Sequence, residues 1–238
     1  MIRTSGVVQI LRKRFGFARI PARSATKGSN RPRWIKRQQT DFYVKKAHED
    51  NYRCRSAYKL IELDDKFHFL RPGRVIIDCG ASPGSWTQVA VDRVLTQKTG
   101  YWDGLVIAVD LLEIDDIHGA TILSRCDFTS ATTQRQILSI LPPAGADVIM
   151  SDMAPNASGN HTMSHEAILS LCESALDFGK SVLKPGGIFL CKLWDGYGTQ
   201  DFIKTLEGNF SKVRKCKPQA SRKESAEIYL YAESFKKS

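Results

Sequence analysis

The chain has 238 residues, 42% hydrophobic and 25% charged, with 17 glycines and 9 prolines, a composition that fits one globular domain with terminal extensions and excludes a fibrous or wholly disordered chain. No apolar run reaches the roughly 20 residues that a membrane-spanning helix requires. The formal net charge of +10 is unevenly placed, since residues 1–40 hold 11 Lys or Arg and no Asp or Glu, so the rest of the chain is close to neutral.

Residues 1–33 intersperse Arg12, Lys13, Arg14, Arg19 and Arg23 with Ile10, Leu11, Phe15, Phe17 and Ile20. That is the composition of an amphipathic mitochondrial transit peptide. The same charges also suit a basic RNA-binding arm. A single domain is expected over 34–238, with a lead-in segment at 34–47. The spacing of Ala57, Leu60, Ile61, Asp64 and Phe67 predicts a helix over 56–69, stopped by Arg71-Pro72-Gly73. Short apolar runs at 75–79, 105–109, 122–125, 147–150 and 187–192 then alternate with helical patterns at 86–95, 133–141 and 165–183. Near-continuous apolar strands separated by helices predict a parallel sheet covered on both faces, an α/β fold. Two strand-like stretches at 212–217 and 227–232, with no helix between them, predict a hairpin-like antiparallel edge.

The 6 cysteines are scattered without a C-x-x-C pair, which points to reduced, packed thiols and not to a disulfide framework or a zinc site. His161 and His165 stand at helical spacing, but no acidic or thiol partner lies at ligand spacing, so no metal is expected.

Five segments carry chemistry, each at the end of an apolar run. The first is Cys79-Gly80-Ala81-Ser82-Pro83-Gly84-Ser85-Trp86, whose small residues let the backbone approach a nucleotide-like ligand outside the carboxyl ends of the strands. It is neither G-x-G-x-x-G nor a G-K-[ST] phosphate loop. Asp110 is placed to accept hydrogen bonds from two ribose hydroxyls, and Asp127-Phe128 offers a carboxylate and a ring to an adenine. Each of these residues alone also reads as a turn or cap; together, at successive strand ends, they point to a nucleoside cofactor without a pyrophosphate, for which S-adenosylmethionine is the fit. The last two segments are Ser151-Asp152-Met153-Ala154-Pro155-Asn156 and Cys191-Lys192-Leu193-Trp194. If their strands are neighbours, Asp152 and Lys192 emerge side by side.

With these motifs the chain resembles the FtsJ/RrmJ family of ribose 2′-O-methyltransferases, and within it the mitochondrial ribosomal RNA enzymes, over residues 34–232. The resemblance implies a Rossmann-like, class I S-adenosylmethionine-dependent methyltransferase fold, with a mostly parallel seven-stranded sheet, an antiparallel edge strand and helices on both faces. It implies a catalytic tetrad of Lys59 in R-C-R-S-A-Y-K-L, Asp152, Lys192 and Glu227 in S-R-K-E-S-A-E-I-Y. It implies a cofactor site drawn from Gly80, Pro83, Gly84, Ser85, Trp86, Asp110, Asp127, Phe128 and Asp152. Ser82, Ser85 and Glu113 depart from the usual family residues. The implied substrate is a uridine in the peptidyl-transferase loop of mitochondrial large-subunit ribosomal RNA, methylated in the matrix by a monomer within the assembling subunit. A transfer RNA or messenger RNA cap substrate, and a ribosome-assembly factor whose catalysis is dispensable, are the competing readings.

A ribose hydroxyl is a weak nucleophile until its proton is being removed, and Lys192 is the expected general base. A lysine at its ordinary pKa of about 10.4 is well under 1% neutral at pH 8, so such a base must shed its proton unusually easily. Lys59 would help by like-charge repulsion, Asp152 would orient Lys192, and Glu227 would hold Lys59 or the ribose. Two basic groups are expected to meet RNA phosphates: Lys45, Lys46, Arg53, Arg55 and Lys59, and Lys212, Arg214, Lys215, Lys217, Arg222 and Lys223. The alternative for both is an ordinary solvated face.

Overall fold

The computed structural model describes residues 41–98, 101–154 and 161–237; the basic leader 1–33 lies outside them. The first described helix is α1 (Phe42–Glu49), where Asp41 caps the chain by accepting from the Tyr43 amide at 3.0 Å. Helix α2 (Ala57–Phe67) follows. It ends before the expected Pro-Gly stop because His68 turns into the left-handed region at φ 52°. Asp64, on the apolar face of α2, is buried for a reason its neighbours do not share: one carboxylate oxygen caps the Phe69 and Leu70 amides at 2.7 and 2.6 Å, and the other meets Arg93.

From there strands and helices alternate: β1 (Val75–Cys79), α3 (Ser85–Val94), β2 (Thr96–Lys98), β3 (Tyr101–Asp103), β4 (Leu105–Asp110), β5 (Ala120–Ser124), α4 (Ala131–Ile140), β6 (Ala146–Ser151), α5 (His161–Val182), β7 (Leu183–Trp194), α6 (Thr199–Asn209), β8 (Phe210–Cys216) and β9 (Glu227–Phe235). Seven strands form one sheet in the order β5-β4-β1-β6-β7-β9-β8, and β2 and β3 pair separately. The pairs from β5 to β7 are parallel, while β9 runs antiparallel between β7 and β8. The tail thus supplies the expected antiparallel pair, with β9 one place in from the edge strand β8. The β2–β3 hairpin and α6 have no counterpart among the predicted elements; the buried face of α6 is only Thr199, Phe202 and Leu206, too sparse to stand out from the polar residues around it.

Alternation within the buried strands assigns the core to two sides. Ile77, Ile107, Ile149 and Phe189 face Ile137 of α4 and Ile168, Ala175 and Phe178 of α5. Ile76, Val106, Val148, Met150 and Leu190 face Leu60 and Leu63 of α2 and Val89, Ala90 and Val94 of α3. Each fully buried aliphatic side chain contributes roughly 1.5–3 kcal/mol, so the sheet is held from both faces. The two-sided burial also places Asp78, Lys192 and Glu227 on the α2/α3 side, because each shares strand parity with a residue of that cluster. Four cysteines, Cys79, Cys172, Cys191 and Cys216, are buried, and all six are free. Among the described residues no helix is long and apolar enough to cross a membrane, and no three His, Cys, Asp or Glu gather as metal ligands.

Candidate active site at the carboxyl edge of the sheet

The loop after β1 is built for close approach. Gly80 has φ +77°, and a Cβ there would stand 2.8 Å from the Met153 Cα and 2.9 Å from its nitrogen, so any side chain would collide with the S-D-M segment passing over it. The Asp152 amide donates to the Cys79 carbonyl at 3.2 Å, which joins the two segments at the exits of adjacent strands. Gly84, at φ +109°, opens α3. The Pro83 carbonyl accepts from Arg53 at 2.8 Å. Ser85 is buried, with its hydroxyl 2.7 Å from that of Ser56 and 3.0 Å from the Cys54 sulfur; the Trp86 indole is buried and donates to the Ser56 carbonyl at 2.9 Å. Both side chains therefore brace the loop against the start of α2.

Four aspartates cluster at the carboxyl ends of four neighbouring strands in the order β5, β4, β1, β6. Asp127, past β5, accepts from the Thr129 amide and hydroxyl at 2.9 and 2.7 Å. Asp110, ending β4, accepts from the Ser82 and Leu112 amides at 2.8 and 2.7 Å, so its turn role and its position beside the glycine loop coexist. Asp78 in β1 is fully buried; one oxygen accepts from the Thr87 hydroxyl at 2.7 Å and the other has no protein partner. Burial pushes this carboxyl up to about 7, against the Thr87 hydrogen bond and with help from the negative charges of Asp152 and Asp110. Asp152 follows β6. Phe128, in contrast, is buried with its ring edge-on to Phe178 at 5.5 Å, and packs in the core on the α4/α5 side. A seat of small residues with the carboxylates of Asp110, Asp127 and Asp152 at nearby strand ends suits a ligand that carries a cationic centre, an amine and hydroxyls, and repels phosphate.

Lysines complete the site. Lys192 in β7 is 8% exposed, and its ammonium lies 2.9 Å from the Asp152 carboxylate while also donating to the Asp152 carbonyl. Lys59 on α2 lies 2.6 Å from Glu227, which also accepts from the Ser221 hydroxyl at 2.8 Å. Register explains the meeting: in the β7–β9 pair Lys192 stands opposite Tyr229 and Trp194 opposite Glu227, and directly opposed residues share a face. Tyr229 links the two ion pairs. Its hydroxyl donates to Asp152 at 2.9 Å and the Lys59 ammonium sits 5.8 Å above its ring. Burial, reinforced by the carboxylates of Asp152 and Glu227, pushes the Tyr229 phenol far up, so it remains a donor. Burial also works to raise the Asp152 carboxyl, but Lys192 and Lys59, followed by the hydrogen bonds from Lys192 and Tyr229, outweigh it and hold the group below the usual carboxylate range. Period-two alternation from Glu227 is the signal that would have singled out Tyr229; Asp78 carries none beyond being an acid inside an apolar strand.

Part of the first basic group has partners within the fold. Arg53 donates to the carbonyls of Pro83, Asp115 and Asp116. Arg55 pairs with Asp41 and donates to the Ala220 carbonyl, and Lys59 pairs with Glu227. Three of the five cations are thus engaged within the fold, because the segment 52–59 is wedged between α3 and the tail and its charges meet acceptors there. In the second group Arg214 pairs with Glu233 at 2.9 Å and Lys215 with Asp195 at 2.6 Å, while Lys217 donates to the Lys223 and Ser225 carbonyls. A cleft of about 230 Å³ opens beside the tetrad, with Arg55, Ser56, Lys59, Arg222, Ser225 and Glu227 in its lining.

Residues 52–235 match the FtsJ-like methyltransferase family model. The chain is 42% identical over 207 residues to rRNA methyltransferase 2, mitochondrial, of Drosophila melanogaster, covering 85% of this chain and 82% of that protein. It is 43% identical over 214 residues to ribosomal RNA large subunit methyltransferase E of Chromohalobacter salexigens, covering 90% of this chain and 99% of the relative. A Plasmodium falciparum crystal structure described as that of a ribosomal RNA methyltransferase aligns with a TM-score of 0.67 at 30% identity, over 77% of this chain and 98% of the other.

Proposed function

This chain belongs to the FtsJ-like methyltransferase family, and on that premise we propose that it methylates a ribose 2′-hydroxyl of large-subunit ribosomal RNA in mitochondria. The observation that carries this reading is the pairing of Asp152 with Lys192 and of Lys59 with Glu227 around Tyr229. S-adenosylmethionine, the methyl donor of this family, supplies a methyl on a sulfonium when bound. The glycine loop with Asp110, Asp127 and Asp152 is the seat for it, and the acidity of that seat matches the donor's cationic sulfur and ammonium.

At the reacting end, Asp152 holds the Lys192 amino group in place, and Lys192 takes the proton from the ribose hydroxyl at its Nζ. Aligning the hydroxyl with the methyl is the other part of the catalysis. Lys59, fixed by Glu227, lines the cleft and is placed to orient the ribose. Arg222 at that cleft gives an RNA phosphate a cationic partner, and the exposed Tyr197 just beyond β7 offers a ring on which an unpaired base can stack.

The acid-free leader 1–33 acts in this reading as the matrix-targeting segment, with the domain beginning near residue 34. The uridine of the peptidyl-transferase loop is the target we assign, on family resemblance. Ribose-methylation mapping of mitochondrial large-subunit ribosomal RNA, in cells lacking the protein and rescued with the intact chain or with Lys192→Ala, tests all of it. One 2′-O-methyl lost and restored only by the intact chain is the expected result. An unchanged map would sink the assignment, and ribosome assembly rescued equally by Lys192→Ala would favour a non-catalytic assembly factor.

A further inference from the structure

We propose that Arg53 is a positioning residue for the methyl donor: a strap that ties the glycine loop to the 111–119 segment and to the root of the catalytic helix, and not a contact for RNA. The proposal rests on the methyltransferase reading above. Its basis is the reach of one guanidinium. Nη1 donates to the carbonyls of Pro83 and Asp115, and Nη2 to that of Asp116, each at 2.8 Å. Pro83 lies in the loop after β1, and Asp115 and Asp116 in the segment after β4. These two segments already converge through Asp110, which accepts from Ser82 on one side and Leu112 on the other, and through the Ser82 hydroxyl and the Glu113 carbonyl at 3.4 Å. Arg53 closes the same seam at its far end.

Packing shows that the contact is close. A Cβ on Gly84 would stand 2.7 Å from Arg53 Nη1 and 2.7 Å from Ile117 Cδ1, so the guanidinium lies directly on the glycine and the Ile117 side chain seals the other side. The root of the strap is also held. The Arg53 amide donates to the Gln88 side chain at 2.9 Å, and the same side chain donates to the Asn51 carbonyl at 3.0 Å; Gln88 is on α3, whose first turn begins at the loop. Six residues on, the same run reaches Lys59. One side chain therefore sets the spacing of donor loop, opposite wall and tetrad helix. Burial disfavours the charge on Arg53, an effect only partly offset by the Asp115 and Asp116 carboxylates, and three of its five N–H donors are already committed to backbone carbonyls. A lysine cannot replace it, because one ammonium has no planar fork to span carbonyls on two segments.

The test uses the full chain, purified as wild type, Arg53→Lys and Arg53→Met, with S-adenosylmethionine titrated by calorimetry and a ribosomal RNA fragment titrated across a salt series. Both variants are expected to bind S-adenosylmethionine about 10-fold or more weakly, the loss expected when hydrogen bonds to a charged group are removed, with KM for the donor rising in step. RNA affinity and its salt slope should stay at the wild-type value, and kcat at saturating donor should fall by only a few-fold. A phosphate contact would give the reverse, with donor affinity intact and the salt slope reduced by about one ion, and that result overturns the proposal. A merely structural arginine would lower the melting temperature with donor affinity unchanged, which overturns it as well. Should Arg53→Met fail to fold, Arg53→Lys decides. Wild-type protein that binds no S-adenosylmethionine would instead bring down the methyltransferase reading itself.

Discussion

Asp78 and Asp152 stand at the carboxyl ends of the adjacent strands β1 and β6, the first buried and the second partly so, yet their ionisation is driven in opposite directions. Asp78 meets one hydroxyl and keeps a bare oxygen, and its carboxyl rises to about 7. Asp152 meets Lys192, Lys59 and the Tyr229 hydroxyl, and its carboxyl falls below the usual range. Desolvation acts on both, so the cations make the difference: Asp78 has no cation beside it, whereas Asp152 and Glu227 each pair with a lysine.

The contrast is sharpest in the effect of removing each acid. Asp152→Ala leaves Lys192 buried without its carboxylate, a loss of roughly 3–5 kcal/mol in stability, together with near-complete loss of methyl transfer; chemical unfolding and single-turnover assays read the two. If Asp152→Ala were as stable as wild type, the ion pair would not be what holds Lys192.

Asp78→Asn should do the opposite, in a pH-dependent way. Because the folded state holds a proton on Asp78 that the unfolded chain gives up near pH 4, wild-type stability declines as pH rises from about 4 to about 7, with a slope of up to about 1.4 kcal/mol per pH unit. The variant lacks this decline and should overtake wild type towards neutral pH, as urea unfolding at pH 5 and pH 8 would measure. A constant difference between the two proteins across that window would remove the contrast. Asp152 has the reverse linkage, stabilising above the ordinary carboxylate range and losing its contribution as acid neutralises it.

The smallest effect is expected from Tyr229→Phe, which removes only the hydroxyl that bridges Asp152. A loss of about 0.5–1.5 kcal/mol with a modest fall in kcat and unchanged donor affinity is predicted. A fall as large as that from Lys192→Ala would give Tyr229 a chemical role, and no change would leave the two ion pairs independent.

The alternation of strands and helices was legible because a strand buried on both faces has to be apolar throughout. The motif segments were legible because small residues and isolated carboxylates interrupt those runs where the chain turns. What escaped was sparse or relational: α6, whose buried face is three residues; the packing of Phe128 on Phe178; and the internal partners of the arginines of 53–55, which are carbonyls and Asp41. A charge in a sequence does not name its partner.

By itself the sequence determined the α/β architecture and the acidic strand ends, since these follow from local pattern and residue chemistry; the four members of the tetrad were named by the family resemblance. Only the tertiary structure decided who pairs with whom. Lys59 meets Glu227 across 168 residues because α2 packs on the face of the sheet from which β9 presents every second side chain. The register of β9 against β7 sets Tyr229 opposite Lys192, and the close passage of two loops turns Arg53 inward. Such pairings depend on sheet order and register, which are settled by the packing of the whole core and not by any one segment.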